Sequence, residues 1–392
     1  MKLQRHLSLI ALTFNAACAS REFENSKSAS EPTSHKLASQ STLTPHGEAL
    51  WQVYLSNTPL SKLQKGCEPT RVQVKPGKIQ VGTAFLFHGF TACPQQYLAL
   101  ADKLAEQGFE VFLPLLVGHG QKRINGEEQF QDLPDEKNYM FRNDELVRSM
   151  NEIAKEASGI KVVGGLSLGG AMAARSLTLS AQQNNGEIIF DRALIMAPLF
   201  QLSDLKGKIL MSTIHNLGTI GIPLNTALSM DQGWGPGCEL EISATPPRAG
   251  ICKFQVKHAF AAQQYGWEVT RDIASVDVSV QGVGVYGDPV VNNNLFRDVL
   301  KKMSAGNREN IKICFYPRGN ENSKDDKNWL ATHGKSNGAN HSLLSTFDSP
   351  TENKWWIDGL MQKTVAFIVD GELFPDSTGS QNQNSTLPFC DL

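Results

Sequence analysis

"GIKVVGGLSLGGAMAARS", residues 159–176, decides how the rest of the chain is read. A short apolar run breaks at glycines, Ser167 stands between Gly165 and Gly169, and an Ala-rich segment follows. This is a G-x-S-x-G pattern in a strand-turn-helix setting, which lifts the serine out of the sheet in a sharp turn. The flanking glycines are required because a side chain at either place would meet the crossing backbone. The plainer alternative is a helix start with Ser167 as an idle capping residue.

On either side, apolar strands alternate with helical patterns. "IQVGTAFLFHG" precedes the helix "CPQQYLALADKLAEQG", and "FEVFLPLLVGHG" precedes the amphipathic "DEKNYMFRNDELVRSMNEIAKEAS". "RALIMAPLF", "VDVSVQGVGVYGD" and "NIKICFYP" read as three further strands, with helices at "NLFRDVLKKMSAG" and "KWWIDGLMQKTVAFIV". "TRVQV" and the "KPGK" turn read as a hairpin with the strand after them. Continuous apolar strands between helices predict an α/β protein, with a mostly parallel central sheet covered by helices on both faces. Ligands of such sheets bind beyond the carboxyl ends of the strands.

A serine hydroxyl needs a base to take its proton and a carboxylate to orient that base. Asp288, in "VYGDPVV", lies just past a strand end and is the expected acid. His341, in "GANHSLLS", is the expected base, with His333 in "ATHGKSN" as its rival. An oxyanion needs two backbone N–H donors. Those expected are the N–H of Leu168, next to the serine, and of Phe90, in the loop after "FLFHG". His88 is read as a brace for that loop, not as a reacting group.

"HGF" after a strand, "GHG" at 118–120, "GLSLG", "GD" at 287–288 and "NHS" at 340–342 together resemble the α/β-hydrolase family, in its esterase and monoacylglycerol-lipase-like branch. The likeness runs over roughly residues 70–370. It implies an α/β-hydrolase fold with an inserted cap, and a serine carboxylesterase or lipase that works through an acyl-enzyme. Thioesterase or peptidase chemistry on the same fold, and a catalytically silent binding module, are the alternatives. Cys93 beside the oxyanion loop and a cap rich in Cys, Gly and Pro depart from the pattern, so substrate preference does not carry over.

The expected organisation is a signal peptide at 1–18, a polar tether at 19–50, the hydrolase domain at 51–375 and an irregular tail at 376–392. The cap interrupts the domain at about 201–270, and its Trp234, Phe254 and Phe260 are candidate substrate-binding residues, with Tyr265 and Trp267 as further aromatic surface. The leader "MKLQRHLSLIALTFNAACAS" predicts export. Cleavage would either leave Cys18 as a lipidated membrane tether on a bacterial membrane or discard it, giving a periplasmic or secreted protein.

With 37 basic against 39 acidic side chains and a net charge of −2, the chain has no footprint for nucleic acid. A small-molecule or lipid ester is the expected partner. No Cys/His spacing fits zinc, so neither a metal nor another cofactor is expected. The six cysteines after the leader make disulfides plausible in an oxidising compartment. Cys238 with Cys252 is the favoured pair, Cys390 is a candidate pin for the tail, and Cys314 reads as a buried thiol.

Overall fold

The computed structural model describes residues 42–127, 129, 132–134, 136–203, 229–231, 249–304, 308–316, 339–344, 355–375 and 389–391. The chain divides into two units, Met1–Ala38 and Ser39–Leu392. The leader, Cys18 and the first part of the tether lie outside the described residues, as do Trp234, Cys238 and His333.

The second unit is built on an eight-stranded sheet in the order β1-β3-β2-β4-β5-β8-β9-β10. Its centre is β2 (Gly82–Phe87), β3 (Phe109–Leu113), β4 (Ile160–Leu166), β5 (Arg192–Met196), β8 (Ser279–Val285) and β9 (Ile311–Tyr316). All pairs among these six are parallel. The strands are apolar and almost wholly buried, as a sheet covered on both faces requires.

Both edges are antiparallel. β1 (Thr70–Val72) pairs with β3 in the register Thr70↔Leu113, so the expected hairpin with β2 does not form. Three residues are too short a strand to fix a partner by local pattern, and the free edge of the sheet takes them. β10 (Phe389–Asp391) pairs with β9 and sets Cys390 opposite Cys314. These two cysteines form a disulfide, so Cys314 is not a buried thiol and Cys390 does pin the tail.

The covering helices are α1 (Pro45–Ser56), α2 (Leu98–Glu106), α3 (Glu136–Lys155), α4 (Leu168–Gln183), α5 (Val256–Asp272), α6 (Asn293–Met303) and α7 (Trp355–Asp370). α1 begins inside the stretch read as tether. Thr44 caps it by accepting the Gly47 N–H, Pro45 occupies its first turn, and Thr42 and Leu43 are buried beneath it.

α5 lies within the interval read as cap. Its Ala261, Ala262, Tyr265 and Val269 belong to the main core, and a Cβ at Gly266 would lie 1.7 Å from the Leu199 carbonyl oxygen. α5 therefore packs on the main core although it lies in the interval read as cap. A two-stranded ribbon of β6 (Ser229–Asp231) and β7 (Lys253–Gln255) leads into it.

Candidate active site

The turn after β4 is shaped by exclusion. A Cβ at Gly165 would stand 2.0 Å from the Gly169 carbonyl oxygen, and one at Gly169 would stand 1.9 Å from that of Phe87. No residue larger than glycine fits at either place while α4 crosses so near the ends of β4 and β2. Ser167, between them, has φ 59° and ψ −119°, a conformation that costs a non-glycine residue of order 1–3 kcal/mol. The fold holds it there: Ser167 N–H donates to Met196 O, and its carbonyl accepts from Ala171 and Leu199. Although Ser167 is the cap position of α4, its side chain makes no capping hydrogen bond. The idle-cap alternative therefore does not describe it.

Asp288 follows β8, at the same carboxyl edge of the sheet. Gly287 takes φ +61° to turn the chain, and one carboxylate oxygen, Oδ1, accepts the N–H groups of Val290 and Val291 at 2.8 and 3.3 Å. The other, Oδ2, lies 2.8 Å from Nδ1 of His341. Both side chains are buried. An ionised carboxylate accepts only, so the ring carries its proton on Nδ1 and turns Nε2 away from Asp288. Among the described residues no hydrogen bond is made by Ser167 Oγ, to His341 or to anything else. Such contacts commonly close only around substrate.

The loop after β2 is fixed at successive peptide groups. Gly89 N–H donates to Oε1 of the buried Gln96 at 2.9 Å. Leu116 N–H donates to His88 Nε2 at 3.0 Å, which leaves the His88 proton on Nδ1 to donate to Gly89 O at 2.9 Å. A trans peptide sets N–H opposite C=O, so clamping the Gly89 carbonyl also directs the Phe90 N–H. His119 Nε2 in turn meets the Phe90 carbonyl at 2.5 Å. Burial pushes the His119 pKa below the ordinary histidine value, against the pull of its backbone carbonyl partners.

Among the described residues neither Phe90 N–H nor Leu168 N–H has an acceptor, and a Cβ on Gly89 would lie 3.6 Å from Ser167 Cβ. His88 is the expected brace. Sequence reasoning did not find Gln96 and His119.

A disulfide ties this loop down. Cys93 bonds to Cys67, while Gln95 N–H donates to Gly66 O and Ile251 N–H to Thr91 O. The Cys238–Cys252 pairing falls partly outside the described residues. Of the expected substrate-binding aromatics, Phe254 is buried with its ring edge-on to Phe90 at 5.2 Å. Phe260 is buried in a separate small cluster with Val256.

Residues 80–227 match the family model described as serine aminopeptidase, S33. No curated protein matches the sequence. Two solved structures are similar in fold. One is a soluble variant of monoglyceride lipase from Saccharomyces cerevisiae, with a TM-score of 0.55 and 15% identity over 77% of this chain and 91% of that one. The other is the monoacylglycerol lipase of Paleococcus ferrophilus, with a TM-score of 0.51 and 15% identity over 78% of this chain and 100% of that one. The strand order, the turn at Ser167 and these likenesses give the chain an α/β-hydrolase fold, similar to that of the two monoacylglycerol lipases.

Proposed function

We propose that the protein is a serine hydrolase that cleaves carboxylic esters through an acyl-enzyme. The observation that carries this reading is the placement of a strained, buried Ser167 at the same sheet edge as the Asp288–His341 pair. In the mechanism, His341 Nε2 takes the Ser167 hydroxyl proton as Oγ attacks the ester carbonyl. The oxyanion is held by the N–H groups of Phe90 and Leu168. The C–O bond breaks, the alcohol leaves with the proton from His341, and a water activated by the same ring releases the acid. Asp288 keeps the imidazole in the required tautomer and orientation.

The monoglyceride lipases of like fold support an ester as substrate, and Phe254 beside the oxyanion loop is suited to contact an acyl chain. The family description favours a second reading, aminopeptidase action on an amide bond. A panel of 4-nitrophenyl esters, thioesters and aminoacyl amides, each run with a Ser167→Ala control, decides between them. Ester turnover that Ser167→Ala lacks supports the first reading, and turnover of the amides alone supports the second.

Export is part of the proposal. The Cys67–Cys93 and Cys314–Cys390 disulfides support an oxidising compartment, and Cys18 is the candidate lipid anchor. Among the described residues no helix is long and apolar enough to cross a membrane.

A further inference from the structure

Beyond the carboxyl end of β3, next to the oxyanion loop, lies a cleft of about 680 Å³. It is a size that takes a small organic ligand. Among the described residues Lys62, Arg142 and Lys257 line it, with one acidic side chain, Asp132. The protein as a whole has a net charge of −2, so this excess of cations is local.

Among the described residues neither Lys62 nor Lys257 forms an ion pair, and Arg142 has only a 3.8 Å contact with the exposed Glu145. Lys257 is placed against its own stability. It is half-buried in the first turn of α5, which has no acidic residue and no side-chain cap, where the helix dipole disfavours a cation. A cleft whose charges are mainly of one sign concentrates the opposite sign. His119 joins the two sites: it lines the cleft, and its Nε2 holds the Phe90 carbonyl.

We propose that this cleft binds an anionic group of the substrate, a phosphate or a carboxylate, so that the preferred esters carry such a group away from the scissile bond. The proposal rests on the ester-hydrolase reading above and names its substrate class.

The test compares 1-butyrylglycerol with 1-butyrylglycerol 3-phosphate. Wild type should show a higher kcat/KM on the phosphorylated ester, and this preference should fade as salt is raised. Lys257→Ala with Lys62→Ala should lower the ratio of the two kcat/KM values by about tenfold, as loss of contacts to a charged group does. Equal kcat/KM on the two esters in wild type, or an unchanged ratio in the double variant, would overturn the proposal.

Inorganic phosphate separates a substrate group from a free anion. Competition against the phosphorylated ester alone supports the proposal, and equal effects on both esters contradict it. If neither ester is cleaved, the 4-nitrophenyl panel judges the catalytic reading, and calorimetry with glycerol 3-phosphate judges the cleft. Binding that the double variant loses supports an anion site there, and absence of binding to wild type rejects it.

Discussion

Asp288 divides its carboxylate between two tasks: Oδ1 accepts the N–H groups of Val290 and Val291, and Oδ2 meets His341 Nδ1 at 2.8 Å. The backbone fixes the acid, and the acid fixes the ring. Asp288→Asn should therefore lower kcat by about 10⁴-fold through the wrong imidazole tautomer. His341→Ala should cost about as much as loss of the serine, since the three act as a unit. Steady-state kinetics with circular dichroism as a fold control checks both. An inactive His333→Ala beside an active His341→Ala would reverse the assignment of the base.

Gln96 acts at one remove. By accepting the Gly89 N–H it holds the loop that presents the Phe90 N–H. Gln96→Leu leaves that buried donor unpaired, at a cost of about 1–3 kcal/mol. We expect kcat to fall about tenfold while KM moves little, because the loss concerns the oxyanion and not substrate binding. An equal rise in KM with kcat retained would contradict this positioning role.

The Cys67–Cys93 disulfide anchors the same loop from its far end. With a sequence separation of 26, it restricts the unfolded chain enough to contribute about 3 kcal/mol. Cys67→Ser with Cys93→Ser should lower the unfolding free energy by about that amount and reduce kcat as well. Non-reducing peptide mapping of the native protein should return Cys67–Cys93 and Cys314–Cys390 as linked pairs.

Stability should also depend on pH through His258, whose pKa burial lowers to about 4. The unfolded chain binds this proton near the ordinary value of about 6.5, so between those two values it holds more protons than the folded form. Stability therefore falls as pH drops from about 6.5 towards about 4, and it levels off for this group below that. His258→Gln should flatten the decline, measured as urea midpoints across that window. An unchanged slope would show that His258 does not govern it.

Much of this was legible in the sequence. The buried parallel strands announce themselves as unbroken apolar runs, and Ser167 and Asp288 stand where two of them end. The turn at Ser167 reads clearly because two glycines leave no other backbone path. What stayed hidden depends on contacts across the fold. α5 buries a face made largely of Ala261, Ala262 and Tyr265, a weak apolar signal amid polar neighbours, so its packing on the core does not read from the pattern. The start of α1 carries Thr44 and Pro45 as a cap signal, masked by the polar stretch before it. Cys314 meets Cys390 only because β10 returns to the sheet edge, and Gln96 meets Gly89 only after the loop has folded back.

The central claim is that Ser167 is the acyl acceptor. Intact-protein mass spectrometry after treatment with a fluorophosphonate, followed by peptide mapping, tests it most directly. The account predicts a single adduct on Ser167 in wild type, no adduct in Ser167→Ala, and strongly slowed labelling in His341→Ala. Absence of an adduct on Ser167 in wild type, or ester hydrolysis undiminished in Ser167→Ala, would contradict it.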